Sequence, residues 1–400
     1  MKLFTIRKQF PLLKNNKIVY FDNAASTLKP VMVAKVMNHY NLHLSSNVGR
    51  GVYALAYEST KRVEDVRKKV AKFLNAKSER EIVFTQNTTH GLNMVASMLA
   101  KTLSQNDEIV LSVLEHHSNL LPWLEVSKQT GAKLVYAPLN NANKLTAVNL
   151  KKVLTKNTKV VAVSYVSNVT GDSQPIREIC KAAHAVGALV VVDAAQAVGH
   201  FAIDVHKLGC DFLAFSGYKM FGPTGVGVLF GKLEQLEKLE PVSFGGGMVL
   251  DANLNQVQYR PAPEKFEAGT LPVSSIIGLG EAIAFLEQVG YDFIAKQDII
   301  LENYFKDEMG KLPQVELYNT NPDIPLFAFN LKGIHAHDAA TMYDQFHICV
   351  RAGSHCAQPL VEHMGQTATL RVSLAFYNTT KEIDQFVKAT KQIIAFFSKF

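Results

Sequence analysis

Along this chain, short apolar runs alternate with segments whose apolar residues recur at helical spacing. Val63, Val66, Val70, Phe73 and Leu74 repeat every three or four positions, which predicts an amphipathic helix over 59–75. Strand-like runs follow at 82–84, 108–114, 134–136, 160–166, 189–192, 212–215 and 226–230. Helices are expected between them from about Gly91, from about Leu120 and over 175–186. Pro175 at the start of the last one and Gly187 just past its end mark it clearly. This alternation predicts an α/β layer fold around a large, mainly parallel sheet. Ligands in such folds gather beyond the carboxyl ends of the strands. Thr88, Thr89, His116, Asn168, Asp193 and Lys219 all fall at such ends.

The pattern changes after about residue 285. A long helix over 291–311, a strand over 326–330 and a helix over 338–346 are expected, then strands over 348–350 and 369–374 and a final helix from Thr380. That is a smaller α+β lobe. The expected division is a large domain over 21–285 and a small domain formed by 1–20 with 286–400.

Composition narrows the function classes. No run approaches the ~18 apolar residues of a membrane span, and Met1–Lys14 lacks the apolar core of a secretion signal. A cytoplasmic protein with no membrane partner is expected. The net charge of +7 is spread over faces with acidic neighbours, as in Lys61-Arg62-Val63-Glu64-Asp65. No aromatic residues interleave a basic patch, which argues against nucleic acid. The four cysteines, Cys180, Cys210, Cys349 and Cys356, form no C-x-x-C pair and no metal-site spacing. Reduced thiols and no metal are expected. Cys180, Cys210 and Cys349 sit in helix-like or apolar surroundings and look structural, whereas Cys356 follows a polar, glycine-containing turn.

Two residues then suggest chemistry. Lys219 lies between the run Phe212–Phe215 and the turn Phe221-Gly222-Pro223. Lysine forms Schiff bases with carbonyl cofactors. Asp193 ends the run Val190-Val191-Val192. An imine-forming lysine and a carboxylate for a pyridinium nitrogen are what an enzyme using pyridoxal 5'-phosphate (PLP) needs. By itself Lys219 also fits an ordinary solvated loop lysine.

Several blocks occur together in a telling order. They are Tyr20-Phe21-Asp22-Asn23-Ala24-Ala25, Asn47-Val48-Gly49-Arg50-Gly51, Glu115-His116-His117-Ser118-Asn119, Val166-Ser167-Asn168-Val169-Thr170-Gly171 and Asp193-Ala194-Ala195-Gln196. Gly217-Tyr218-Lys219, Phe266-Glu267-Ala268-Gly269-Thr270, Arg351-Ala352-Gly353-Ser354-His355-Cys356 and Arg371-Val372-Ser373 complete the set. In these blocks the chain resembles the class V aminotransferase family of fold-type I PLP enzymes. More closely, it resembles group II cysteine desulfurases of the Suf/Csd type.

The resemblance implies a PLP-dependent transferase that converts L-cysteine to L-alanine and leaves the sulfur on an enzyme cysteine as a persulfide. A sulfur-acceptor protein, usually feeding iron–sulfur cluster assembly, would take it on. Lys219 would carry PLP and move the Cα proton, and Asp193 would pair with the ring nitrogen. Gln196 would reach the ring hydroxyl, and His116 would stack on the ring and shuttle protons. Thr88, Thr89 and Ser216 would hold the phosphate, with Thr270 reaching in from the second subunit of a homodimer with shared sites. Arg371 would grip the substrate carboxylate, with Asn168 and Arg50 nearby. Cys356 would be the sulfur nucleophile. Two positions depart from the family pattern: Tyr218 stands where a phosphate-contacting His is common, and His90 where Glu is common. The alternatives are a selenocysteine lyase acting on L-selenocysteine, another class V PLP enzyme, or a non-catalytic scaffold for a sulfur-transfer partner.

Overall fold

The computed structural model describes residues 3–14, 18–49 and 51–399. Its centre is a seven-stranded sheet. In chain order the strands are β1 Ile82–Thr85, β2 Glu108–Leu111, β3 Lys133–Tyr136, β4 Thr158–Ser164, β5 Leu189–Asp193, β6 Phe212–Ser216 and β7 Gly227–Gly231. Their spatial order is β1-β7-β6-β5-β4-β2-β3. Only β7 runs antiparallel to its neighbours, β1 and β6; the other pairs are parallel. The α/β fold with a mainly parallel sheet is therefore observed. Its central strands are buried along most of their length because helices cover both faces.

The helices bear out the periodic segments with shifted ends. The 59–75 helix spans Ala54–Phe73. The one expected from Gly91 begins three residues earlier and spans Thr88–Ala100. Asn87 caps it by accepting the His90 N–H at 2.9 Å, so the Thr88-Thr89-His90 stretch is helical rather than loop. The helix expected from Leu120 spans His117–Thr130, with His116 as its cap. Two helices longer than ten residues gave no periodic signal. Val31–His43 and Val273–Val289 pack on each other, and the second is apolar on nearly every side because it is buried on nearly every side.

Beyond residue 290, helix Tyr291–Gly310 and helix Thr380–Phe397 cover a four-stranded antiparallel sheet. Thr369–Ser373 is central in that sheet, flanked by Leu326–Leu331 and Arg351–Gly353. Phe305, Phe327, Phe329, Tyr343 and Phe386 form its core. The short strand Val19–Tyr20 pairs with Ile348–Cys349 of this lobe. The N-terminal arm turns the other way: Phe10 packs its ring on Phe221, Phe285 and Tyr377. No single helix among the described residues is long and apolar enough to cross a membrane.

Candidate active site

The carboxyl ends of β1, β4, β5 and β6 converge, and the second lobe's Thr369–Ser373 strand and Gly353–Cys356 loop close over them. Two close backbone approaches make this possible. On Gly227 of β7 a Cβ would lie 2.6 Å from the Asn87 Cα. Glycine there lets the β1 turn settle onto the sheet, so the Thr88 N–H meets Ser216 Oγ at 2.8 Å. On Gly222 a Cβ would lie 2.9 Å from the Gly217 carbonyl oxygen, which keeps the turn around Lys219 tight.

Lys219 ends a short 3-10 turn directly after β6. The side chain is half-buried. Loss of solvent lowers its amine to a pKa of about 8, and this outweighs the attraction of Asp193, while Arg371 pushes the same way as burial. An amine lowered this far is unprotonated often enough near neutrality to act as a nucleophile or base. Asp193 is the last residue of β5 and is buried. Burial raises its carboxyl, opposed by the Ala195 N–H donated to Oδ1 at 2.9 Å and by Lys219. Gln196 donates from Nε2 to the Ala24 carbonyl at 2.8 Å, which ties the Asp193–Gln196 turn to the Phe21–Thr27 segment.

His116 is a half-buried cap whose Nδ1 accepts the Ser118 N–H at 3.1 Å. A backbone N–H can only donate, so the neutral ring carries its proton on Nε2. Burial first, then the positive charge of Lys219, lowers this imidazole to a pKa of about 3. Thr88 Oγ1 lies 2.6 Å from Ser216 Oγ, and Thr89 Oγ1 lies 2.7 Å from Ser118 Oγ. These hydroxyls stand at the N-terminus of the Thr88–Ala100 helix, an arrangement suited to a phosphate. Tyr218 approaches Ser216 from the other side. His90 turns away from this cradle; its Nδ1 accepts the Gln86 N–H at 3.1 Å.

Arg371 is 3% exposed, yet its guanidinium is only partly satisfied. Nη1 donates to the Asn168 carbonyl at 2.9 Å and Nη2 to Asp22 Oδ1 at 3.3 Å, while Nε is buried with no partner. Burial lowers it to a pKa of about 10, so it stays charged at neutral pH. A buried donor without an acceptor costs about 1–3 kcal/mol, and more for a charged group, so an anionic ligand is the natural complement. Asn168 also donates from Nδ2 to the His355 carbonyl at 2.7 Å. One asparagine thus links the arginine to the cysteine loop.

Cys356 is exposed. Its carbonyl accepts the His117 N–H at 2.7 Å. Both His355 and Cys356 have φ of +55°, a left-handed backbone that L-residues seldom adopt, after Gly353 at +123°. The loop is held in this shape by its hydrogen bonds to Asn168 and His117. Lys219, Arg351 and Arg371 all lie within electrostatic range of the thiol. The other cysteines differ: Cys180 and Cys210 are buried, and burial pushes both thiols up.

Thr270 stands apart from this group. It is exposed and lines a hollow of about 530 Å³ with Asn47, Arg67, Gly247 and Arg260. Arg50 lies outside the described residues. Sequence reasoning gave no role to Asp22, which also accepts a bidentate pair from Arg351, or to Glu115. Both sit inside the quoted blocks, and an acidic residue next to an apolar run was the only sign of either. The donors fit PLP: an amine of lowered proton affinity, a buried carboxylate, a helix N-terminus rimmed by hydroxyls, and an arginine with a free buried N–H.

The family model of class-V aminotransferases matches residues 19–386. A relative named "Probable cysteine desulfurase", from Halalkalibacterium halodurans, is 42% identical over 402 aligned positions, covering 99% of each chain. The crystal structure of the cysteine desulfurase CsdA from Escherichia coli superposes with a TM-score of 0.94 at 39% identity, covering 99% of both chains. The apo cysteine desulfurase of Thermococcus onnurineus superposes at 0.95 with 37% identity and the same coverage. The chain belongs to the class-V aminotransferase family and, within it, groups with the cysteine desulfurases.

Proposed function

We propose that this protein is a PLP-dependent cysteine desulfurase, taking L-cysteine to L-alanine and receiving the sulfur on Cys356. The observation that carries the reading is an exposed thiol and a buried arginine, both within electrostatic range of one half-buried lysine. Residues 21–285 form the cofactor-holding domain in this reading, and 1–20 with 286–400 bring in the cysteine loop.

Lys219 would hold the cofactor covalently, Asp193 would pair with its ring nitrogen, Gln196 and Asn168 would border it, and Thr88, Thr89 and Ser216 would receive its phosphate. The bound cofactor supplies an electron sink for bond changes at the substrate's Cα and Cβ. Arg371 takes the substrate carboxylate with its spare Nε–H, which sets the amino acid's orientation. Lys219 would remove the substrate's Cα proton, for which its lowered proton affinity suits it. His116, neutral with its proton on Nε2, would stack on the ring and donate a hydrogen bond from Nε2. The Cys356 thiolate forms a sulfur–sulfur bond to the substrate as the substrate's Cβ–S bond breaks; proton return to carbon completes alanine. The resulting persulfide is exposed, so a sulfur-acceptor protein reaches it without the chain opening.

A homodimer is part of this reading. Thr270 lines a hollow that Lys219 does not line, and Val52, Tyr53, Leu55, Tyr57, Leu254 and Val257 leave apolar surface exposed. Shared sites give both features a use, with Arg50 and Thr270 of one subunit serving the other.

The test is direct. Purified protein given PLP should absorb near ~420 nm through the lysine–cofactor imine, lose the band on borohydride reduction, and release alanine from L-cysteine. A colourless protein that takes up no PLP would sink the reading. Alanine release at full rate after Cys356→Ala would contradict the sulfur route through that residue.

A further inference from the structure

Glu115 is a buried ionisable group beside this site to which the reaction above gives no task. It is 1% exposed. Ser112 Oγ donates to its Oε1 at 2.6 Å, and Ser164 Oγ and Asn119 Nδ2 both donate to its Oε2 at 2.7 Å. The direction of these bonds is fixed by their surroundings. Ser112 Oγ already accepts the Leu114 N–H at 3.2 Å, so its own hydrogen is free for Glu115. Asn119 Oδ1 accepts Trp123 Nε1 at 3.4 Å, which turns its NH2 toward the carboxyl. A carboxyl met by three donors is arranged as an acceptor-only carboxylate. Burial opposes that charge and raises the group to a pKa of about 7, with Asp193 adding to the rise. The hydrogen bonds work against it.

The position is as specific as the bonding. Glu115 immediately precedes His116, the cap of the His117–Thr130 helix. Ser164 is the residue of β4 that pairs in register with Asp193 of β5. One carboxylate therefore fastens the start of that helix to the strand end where Asp193 sits. We propose that Glu115 is a positioning residue for the Lys219–Asp193 site, fixing His116 in place and setting a second negative charge behind Asp193. The inference rests on the reading that PLP is held by Lys219 and Asp193. A negative charge at this depth favours the protonated state of the groups Asp193 faces. Asp193 is the titratable group that Glu115 faces; Lys219 faces Asp193 in turn, and Lys219, His117 and Arg371 face His116.

The experiment uses the PLP-loaded protein. Its ~420 nm band must be present in wild type and absent in Lys219→Ala; absence in wild type overturns the site reading and this inference together. With the band present, its pH titration is compared in wild type, Glu115→Gln and Ser164→Ala. In Glu115→Gln the midpoint should fall by about half a unit or more, and in Ser164→Ala by less in the same direction. Turnover in Glu115→Gln should drop about tenfold in kcat with KM for L-cysteine within about twofold. Ser164→Ala decides alone if Glu115→Gln does not fold. A midpoint that stays put or rises, with the band intact, overturns the inference while leaving the site reading standing.

Discussion

The strand-end cluster and the cysteine loop meet at one place but are built by opposite means. Asp193 and Ser216 end adjacent, buried strands of the sheet, where backbone pairing fixes them, and Lys219 ends the tight turn that follows. Cys356 sits on an exposed loop in left-handed backbone, fastened through the carbonyls of His355 and Cys356 to Asn168 and His117. The first region needs precision at a buried amine whose proton affinity depends on its burial. The second must offer its sulfur both inward, toward the substrate, and outward, toward an acceptor. A rigid base and a thinly tethered loop answer these two needs.

Substitutions that separate the two regions should show the largest effects. Lys219→Ala should remove both the cofactor band and alanine formation, a loss of at least about 10³-fold. Cys356→Ser should cut alanine formation by about 10²-fold or more while PLP uptake and spectrum stay as in wild type. Absorbance and an alanine assay on the same samples check both. If Cys356→Ser also loses the band, the two regions are not independent.

Arg371→Lys comes next. An ammonium cannot reproduce the guanidinium fork that reaches Asn168, Asp22 and a carboxylate together. KM for L-cysteine should rise about 10- to 100-fold, read from initial rates. Asn168→Ala removes the Nδ2 bond to the His355 carbonyl but leaves the main-chain acceptor for Arg371. About a tenfold fall in kcat is expected, because the placement of the cysteine loop is loosened.

The smallest effect concerns acid stability. His355 is 7% exposed, and burial lowers it to a pKa of about 3, with Arg371 adding to the effect. The unfolded chain binds a proton there below about pH 6.5 while the folded protein does not. This contribution to stability is therefore present above about pH 6.5 and is lost as pH falls toward 3. His355→Gln should flatten the decline of unfolding free energy by up to about 1.4 kcal/mol per pH unit between pH 6 and about 4, measured by urea titration. An unchanged slope would mean that His355 is not held neutral.

Much of this was legible in the sequence because it is local. Alternating strand and helix periods announce the sheet, and Lys219 and Asp193 are conspicuous because they end apolar runs. Cys356 was separable from the other cysteines by its polar loop, and it alone of the four is fully exposed. What stayed hidden depends on distant packing. Asp22 gains meaning only through Arg351 and Arg371, the latter 349 residues away. Glu115 gains it only because Ser164 and Asp193 lie side by side across two strands. Helix Val273–Val289 was missed because burial on nearly every side leaves little polar face, and the start of Thr88–Ala100 was misplaced because one cap residue, Asn87, decides it.

The central claim is that sulfur leaves L-cysteine onto the exposed thiol of the loop. Mass spectrometry of peptides from the PLP-loaded protein after brief exposure to L-cysteine, without reductant, tests it most directly. The account predicts an added ~32 Da, one sulfur atom on the nucleophilic thiol, confined to the peptide containing Cys356 and absent after Lys219→Ala. Alanine formed with no added sulfur on Cys356, or sulfur found equally on Cys349, would contradict it.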